Sequence, residues 1–213
     1  MAYAFSKLPT GWTRKINDDI ASFLGGSQAG ESIAALKCLL AISVQMDFTS
    51  RTATVSYTDF ETLTGLSRPM VTKGIKALET RGLITIGGGH THKYTVNEIQ
   101  DEHWAKLPTE LLKRSLKDIG NRGVICLAAL KIYILLVTRR NNIYQWTALT
   151  FDQIELSTGV RRTNIRAALS MLFSAGLIHS TIVDPNNGQP VFPAYLIRGL
   201  SIKAPDHAFV MRV

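Results

Sequence analysis

The 213-residue chain is poor in the residues that build disulfide, redox or metal chemistry. Its two cysteines, Cys38 and Cys126, are too few for a disulfide framework and lie in or beside apolar stretches, where packing is their expected role. No run of about 18 apolar residues occurs, so no membrane partner is expected. The start, Met1 to Lys7, lacks a basic region followed by a long apolar core, so no secretory signal is expected and the cytoplasm is the expected compartment. HExxH, GxSxG and paired CxxC motifs are missing. Gly87-Gly88-Gly89 follows a strand-like run but leads into another, with no GK[ST], and so is not a phosphate loop. Asp18 and Asp19 are adjacent but have no second acidic cluster beside them, which argues against a two-metal nuclease. These absences point to a non-enzyme without a cofactor.

The chain does carry an excess of positive charge. Lys and Arg number 24 against 16 acidic residues, a formal net charge of +8 with a pI near 9.7. Residues 1–104 hold 10 basic and 10 acidic residues, whereas residues 105–213 hold 14 and 6. The whole excess, 14 − 6 = +8, therefore lies in the second half. A one-sided positive field orients a molecule on a polyanion, and nucleic acid is the expected one.

An internal repeat organises the chain. Ala34-Ala35-Leu36-Lys37 recurs as Ala128-Ala129-Leu130-Lys131, Thr64-Gly65 as Thr158-Gly159, and Gly82-Leu83-Ile84 as Gly176-Leu177-Ile178. All share an offset of 94, which over residues 34–84 gives 12 identities in 51 positions, Glu61/Glu155, Arg68/Arg162 and Leu78/Leu172 among them. Lys7-Leu8-Pro9-Thr10 recurs as Lys106-Leu107-Pro108-Thr109 at offset 99. Two copies follow, roughly 5–97 and 104–200. The expected organisation is a first domain over 1–97, a connecting segment with the lead-in helix of the second copy over 98–122, a second domain over 123–200 and a tail over 201–213.

Each copy has one plan. Trp12, Ile16, Ile20 and Phe23 recur at helical spacing and predict an amphipathic helix over Trp12–Leu24, a cover for its own core or a dimer surface. Ile33–Met46 reads as an apolar central helix and Thr52–Val55 as a short strand. Thr58 to Glu61 resembles a capping box opening a helix that ends near Gly65. Ser67 is placed to cap a helix running to Arg81, stopped by Gly82. Leu83–Ile86 and Tyr94–Val96 flank the glycine turn as strands. The second copy predicts helices over Pro108–Lys117 and Val124–Arg139, a short helix opened by Asp152 with Glu155, a turn at Gly159 and a helix over Arg162–Ala175. Its hairpin pairs Leu177–Val183 with Val191–Ile197 across Asp184-Pro185-Asn186-Asn187-Gly188.

Short helix, glycine turn, longer helix and hairpin divide the faces of the longer helix. Val71, Ile75 and Leu78 face the core, leaving Pro69, Lys73 and Lys76 outside, flanked by Arg68 and Thr72. In the second copy Ile165, Leu169 and Leu172 face inward, while Thr163, Ala167 and Ser170 point outward, flanked by Arg162, Asn164 and Arg166. Small, hydrogen-bonding and cationic residues on one exposed face suit a major groove. Arg161, Arg162 and the helix start can hold phosphates. Lys93 and His92, with His90, can follow a backbone or minor groove. His90-Thr91-His92 lacks a third ligand for a metal.

On Ser67-Arg68-Pro69-Met70-Val71, Leu78 to Ile84, Thr158 to Arg162 and Ala175 to Ile178, each copy resembles a bacterial winged helix-turn-helix DNA-binding domain. Arg161 departs from the motif by replacing the usual capping Ser or Thr. Two such domains in one chain resemble plasmid and phage replication initiators and some transcription regulators. The resemblance implies a mainly α fold with small β-hairpins (α+β), two tandem winged helices from an internal duplication, and sequence-specific binding of double-stranded DNA in transcription or replication. The expected contacts are Ser67, Arg68, Thr72, Lys73, Lys76, His92, Lys93, Arg161, Arg162, Thr163, Asn164, Arg166 and Ser170. Both copies use the chain fully, so no small-molecule ligand is expected, while a homodimer stays open. The alternative is a protein-interaction module in a nucleoprotein assembly, with only the second domain on DNA.

Overall fold

A computed structural model describes residues 5–13, 20–47, 49–87, 92–97, 104–141, 146–183 and 192–200. The fold is mixed α and β, with seven α-helices and three small antiparallel sheets among these residues. The same order of elements occurs twice. The first half has α1 (Ala29–Gln45), β2 (Thr52–Thr54), α2 (Tyr57–Thr64), α3 (Arg68–Thr80), β3 (Ile84–Gly87) and β4 (Lys93–Val96). The second has α5 (Val124–Arg139), β6 (Trp146–Ala148), α6 (Phe151–Thr158), α7 (Arg162–Ser174), β7 (Ile178–Val183) and β8 (Phe192–Ile197). Each set closes a three-stranded sheet of the same order, β2-β4-β3 and β6-β8-β7.

The segments that lead into α1 and α5 are residues 5–13 and 20–28 in the first half, opening on β1 (Phe5–Pro9), and residues 104–123 in the second, with β5 (Trp104–Pro108) and α4 (Thr109–Ser115). β1 and β5 pair antiparallel, with Lys7 opposite Lys106, Phe5 opposite Pro108 and Pro9 opposite Trp104. The two strands are related by the same offset of 99 as the Lys-Leu-Pro-Thr segments, and the pairing of Lys7 with its own counterpart Lys106 puts a local two-fold axis between the two lysines. The side chains obey it. Lys7 Nζ lies 4.9 Å from the Trp104 ring centre and Lys106 Nζ 4.7 Å from that of Phe5, while the two rings stack 6.0 Å apart.

α1 and α5 are buried nearly all round and pack on one another, which explains their apolar sequences. Both halves feed one continuous apolar core. Gly74 marks the closest approach of α3 to α1. A Cβ there would lie 2.7 Å from the backbone carbon and oxygen of Ala34, and neither can yield without parting the helices. Gly74→Val is therefore expected to destabilise the fold by about 2–3 kcal/mol, seen as an earlier urea midpoint.

Several boundaries differ from the sequence reading. The continuous helix expected over Trp12–Leu24 is not what its described ends form: Gly11–Thr13 and Ile20–Ser22 are 3-10 turns, and residues 14–19, with Ile16, Asp18 and Asp19, lie outside the described residues. Trp12, Ile20 and Phe23 are buried nonetheless, so the apolar spacing served the core. The expected helix Pro108–Lys117 is α4 followed by a 3-10 turn at Leu116–Asp118. α1 starts four residues before the expected Ile33, at Ala29. His90, the turn at 184–188 and the tail 201–213 lie outside the described residues.

Candidate nucleic-acid interface

Each half builds its outer helix on a capped turn. Ser56, two residues before the expected Thr58, opens α2: its hydroxyl accepts from Asp59 N at 3.1 Å, and the Asp59 carboxylate accepts from Ser56 N at 2.9 Å. The Ser56 side-chain and backbone hydrogen bonds hold the Asp59 carboxyl below its ordinary pKa. Thr150 and Gln153 form the same box at α6, in place of the expected Asp152 and Glu155. The hydroxyl reaches the third backbone amide of the helix, and this fixes the register the sequence reading missed. Both short helices end on a glycine in the left-handed region, Gly65 at φ 67° and Gly159 at φ 64°. Thr64 and Thr158 then lock the turns. Each donates its hydroxyl to a carbonyl one turn back and accepts the amide two residues on.

The turns deliver α3 and α7 with their faces divided as the sequence predicts. Val71, Ile75 and Leu78 are buried, and so are Ile165, Leu169 and Leu172. Ser67, Arg68, Pro69, Thr72, Lys73 and Lys76 are exposed, as are Arg161, Arg162, Thr163, Arg166, Ala167 and Ser170. Asn164 is half-buried; with Arg161 and Thr163 it lines an open cleft of about 520 Å³ that also touches Gly25 and Gly26 of the first half. Ser67 stands at the N-cap position of α3, but its side chain makes no capping hydrogen bond.

The first half gathers three of the expected contacts around one ring. Arg68 lies 5.6 Å from the Tyr57 ring centre, the Thr72 hydroxyl donates to Arg68 O at 3.1 Å with its oxygen 3.5 Å from the Tyr57 phenol oxygen, and His92 meets Tyr57 edge-on at 5.0 Å. The start of α3 and the hairpin thus form one surface. Lys93 is exposed on β4. Among the described residues no three His, Cys, Asp or Glu side chains cluster as metal ligands.

In the second half Arg162 stands 5.9 Å from the ring of Phe151, the repeat counterpart of Tyr57. Two contacts there are invisible in the motif. Arg162 forms an ion pair with Asp152, and the Glu155 carboxylate accepts the Arg162 amide at 3.1 Å. Glu155 thereby caps α7 where Arg161 replaces Ser or Thr. Arg162 is partly neutralised, whereas Arg161 and Arg166 have no ion pair among the described residues. Glu61, the repeat counterpart of Glu155, makes no such bond to α3 among the described residues, so the shared glutamate did not mark the cap.

Beneath each turn lies a buried lysine, also missed from sequence. Lys37 is fully buried, and its Nζ donates to Thr64 O at 2.7 Å, to Ile119 O and to Asn121 Oδ1 at 2.6 Å. Lys131, 5% exposed, donates to Thr158 O at 2.9 Å and to Ala21 O at 3.2 Å. Lys37/Lys131 and Thr64/Thr158 are repeat pairs, and each lysine reaches the lead-in segment of the other half. Burial lowers the Lys37 pKa to about 8, against the raising influence of Cys126 and Asp118. Burial pushes the Cys38 thiol up to about 12, which suits an inert core cysteine. Among the described residues no helix is long and apolar enough to cross a membrane. No protein-family model matches the chain, and no curated protein matches it significantly.

Proposed function

We propose that the chain is a non-enzymatic, sequence-specific binder of double-stranded DNA. In this reading each half is a winged helix-turn-helix derived by duplication, α3 and α7 are the recognition helices, and the β3–β4 and β7–β8 hairpins are the wings. The observation that carries it is the pair of outward helix faces, each bearing cations and small polar residues on an identically locked turn. Such a protein serves as a transcription regulator or as an origin-binding replication initiator of a plasmid or phage. Two modules in one chain raise each other's effective concentration on a site, so a single chain can bind tightly.

The charge distribution favours a graded second reading. The first half is electrically balanced, so it can serve as a protein-contact module while the second half holds DNA. A salt titration of duplex binding separates the two. The wild-type chain is expected to lose affinity steeply with salt, and Lys73→Ala with Lys76→Ala to flatten the log–log slope by about 2 if α3 lies on phosphates. An unchanged slope assigns DNA to the second half alone, and salt-independent binding by every variant removes the DNA reading.

A further inference from the structure

Lys37, Lys131 and Asn121 lie beneath the turns, away from the outward helix faces, yet they join parts of the molecule that set where those faces stand. Lys37 binds the carbonyl of Thr64, the last residue of α2, and the carbonyl of Ile119 in the other half's lead-in segment. Asn121 completes the joint from the other side. Its Oδ1 accepts from Lys37, and its Nδ2 donates to Gly65 O at 2.6 Å, the carbonyl of the left-handed turn residue. Lys117 packs against the same glycine, 3.7 Å from where its Cβ would stand. Lys131 repeats the device in reverse, tying Thr158 O to Ala21 O, and Ala21 packs 3.5 Å from where a Gly159 Cβ would stand.

We infer that Lys37, Lys131 and Asn121 are positioning residues that bolt the turn before each outer helix to the lead-in segment of the opposite half, and so fix the separation of α3 from α7. The reason is mechanical. The turn carbonyls face a buried ammonium with fixed partners in both halves, so one turn cannot shift without leaving donors or acceptors unpaired where water cannot replace the lost bond. Apolar packing alone is less directional and would tolerate sliding. The β1–β5 ladder, two-fold about Lys7 and Lys106, ties the lead-in segments to each other and closes the frame. On the DNA-binding reading above, a fixed helix separation becomes a fixed spacing between the two groove segments a single chain can read.

Asn121→Ala is the informative variant, because Asn121 is half-buried and its loss leaves the Lys37 bonds to Thr64 and Ile119 in place. Two measurements on the full chain test the inference. The first needs no DNA. Spin labels on Thr80→Cys and Ser174→Cys, exposed repeat counterparts at the ends of α3 and α7, report the distance between the helices while Cys38 and Cys126 stay buried. The wild-type background is expected to give one narrow distance distribution and Asn121→Ala a broader one. The second uses a duplex selected from random sequence, with one or two base pairs inserted between its two protected segments. The wild-type chain is expected to lose roughly tenfold or more in affinity on insertion, and Asn121→Ala to lose no more than about threefold. Identical distance distributions, or identical spacing penalties, overturn the inference. A chain that selects no duplex, yet shows the broadened distances, overturns the DNA-binding reading and leaves the clamp supported.

Discussion

Replacing Arg161 and Arg166 together by alanine is expected to weaken binding to a selected duplex by about 30- to 1,000-fold. Both guanidinium groups are exposed on the α7 side of the second half, which carries the chain's whole positive excess. A specific base contact is worth about 1–3 kcal/mol and a phosphate contact adds a salt-dependent share, so two losses together reach about 2–4 kcal/mol. Neither residue has an ion pair among the described residues, so its removal leaves no orphaned carboxylate. Thermal stability should therefore stay within about 0.5 kcal/mol of wild type, and the loss is one of affinity. Arg162, the more obvious target in the motif, is a poorer probe. Its guanidinium is shared with Asp152 and the Phe151 ring, so alanine there disturbs the start of α7 as well as the surface charge. Anisotropy titrations at two salt concentrations, with circular dichroism of the same samples, check both parts.

Lys37→Met is expected to cost about 2–4 kcal/mol of stability, because each buried acceptor left without its donor costs about 1–3 kcal/mol and the relieved burial of the ammonium offsets part of the sum. Methionine fills similar volume but leaves Thr64 O, Ile119 O and Asn121 Oδ1 without their donor. The pH dependence carries a distinct signature. With the folded pKa near 8 and the unfolded value near 10.5, the unfolded chain holds more protons between those limits, and the contribution of Lys37 to stability rises with pH across that window. Below pH 8 the ammonium is charged in both states and its burial cost is fully present. The stability gap between wild type and Lys37→Met should thus widen from pH 7.5 to pH 10. Urea melts of both proteins at the two pH values read this directly, since other titrating groups are common to both.

The periodicity of apolar residues made the outer helices legible. Val71, Ile75 and Leu78 can point only one way on a helix, and burial on that side leaves Lys73 and Lys76 outside. The glycines at 65, 82, 159 and 176 were equally informative, because all four adopt the positive φ that other residues resist. Helix starts were harder to place. Ser56 and Thr58 both have the chemistry of a cap, and only the reach to Asp59 N chooses between them. Long-range pairing left no trace in local pattern. Lys37 reads as a polar residue in an apolar helix until the carbonyls from Thr64 and Ile119 are seen around it. The recurring Lys-Leu-Pro-Thr segments marked an internal repeat in the sequence, but not that the two segments pair as strands about a local two-fold axis. At the candidate interface the sequence supplied the cations; the neutralisation of Arg162 by Asp152, ten residues earlier, required the folded turn.

Hydrogen–deuterium exchange on the full chain, with and without a selected duplex, tests the central claim most directly. Binding should slow exchange in the first turns of both α3 and α7 and in β4 beside His92, with α1 and α5 unchanged. Slowed exchange confined to other surfaces, with α3 and α7 exchanging as in the free chain, would contradict it.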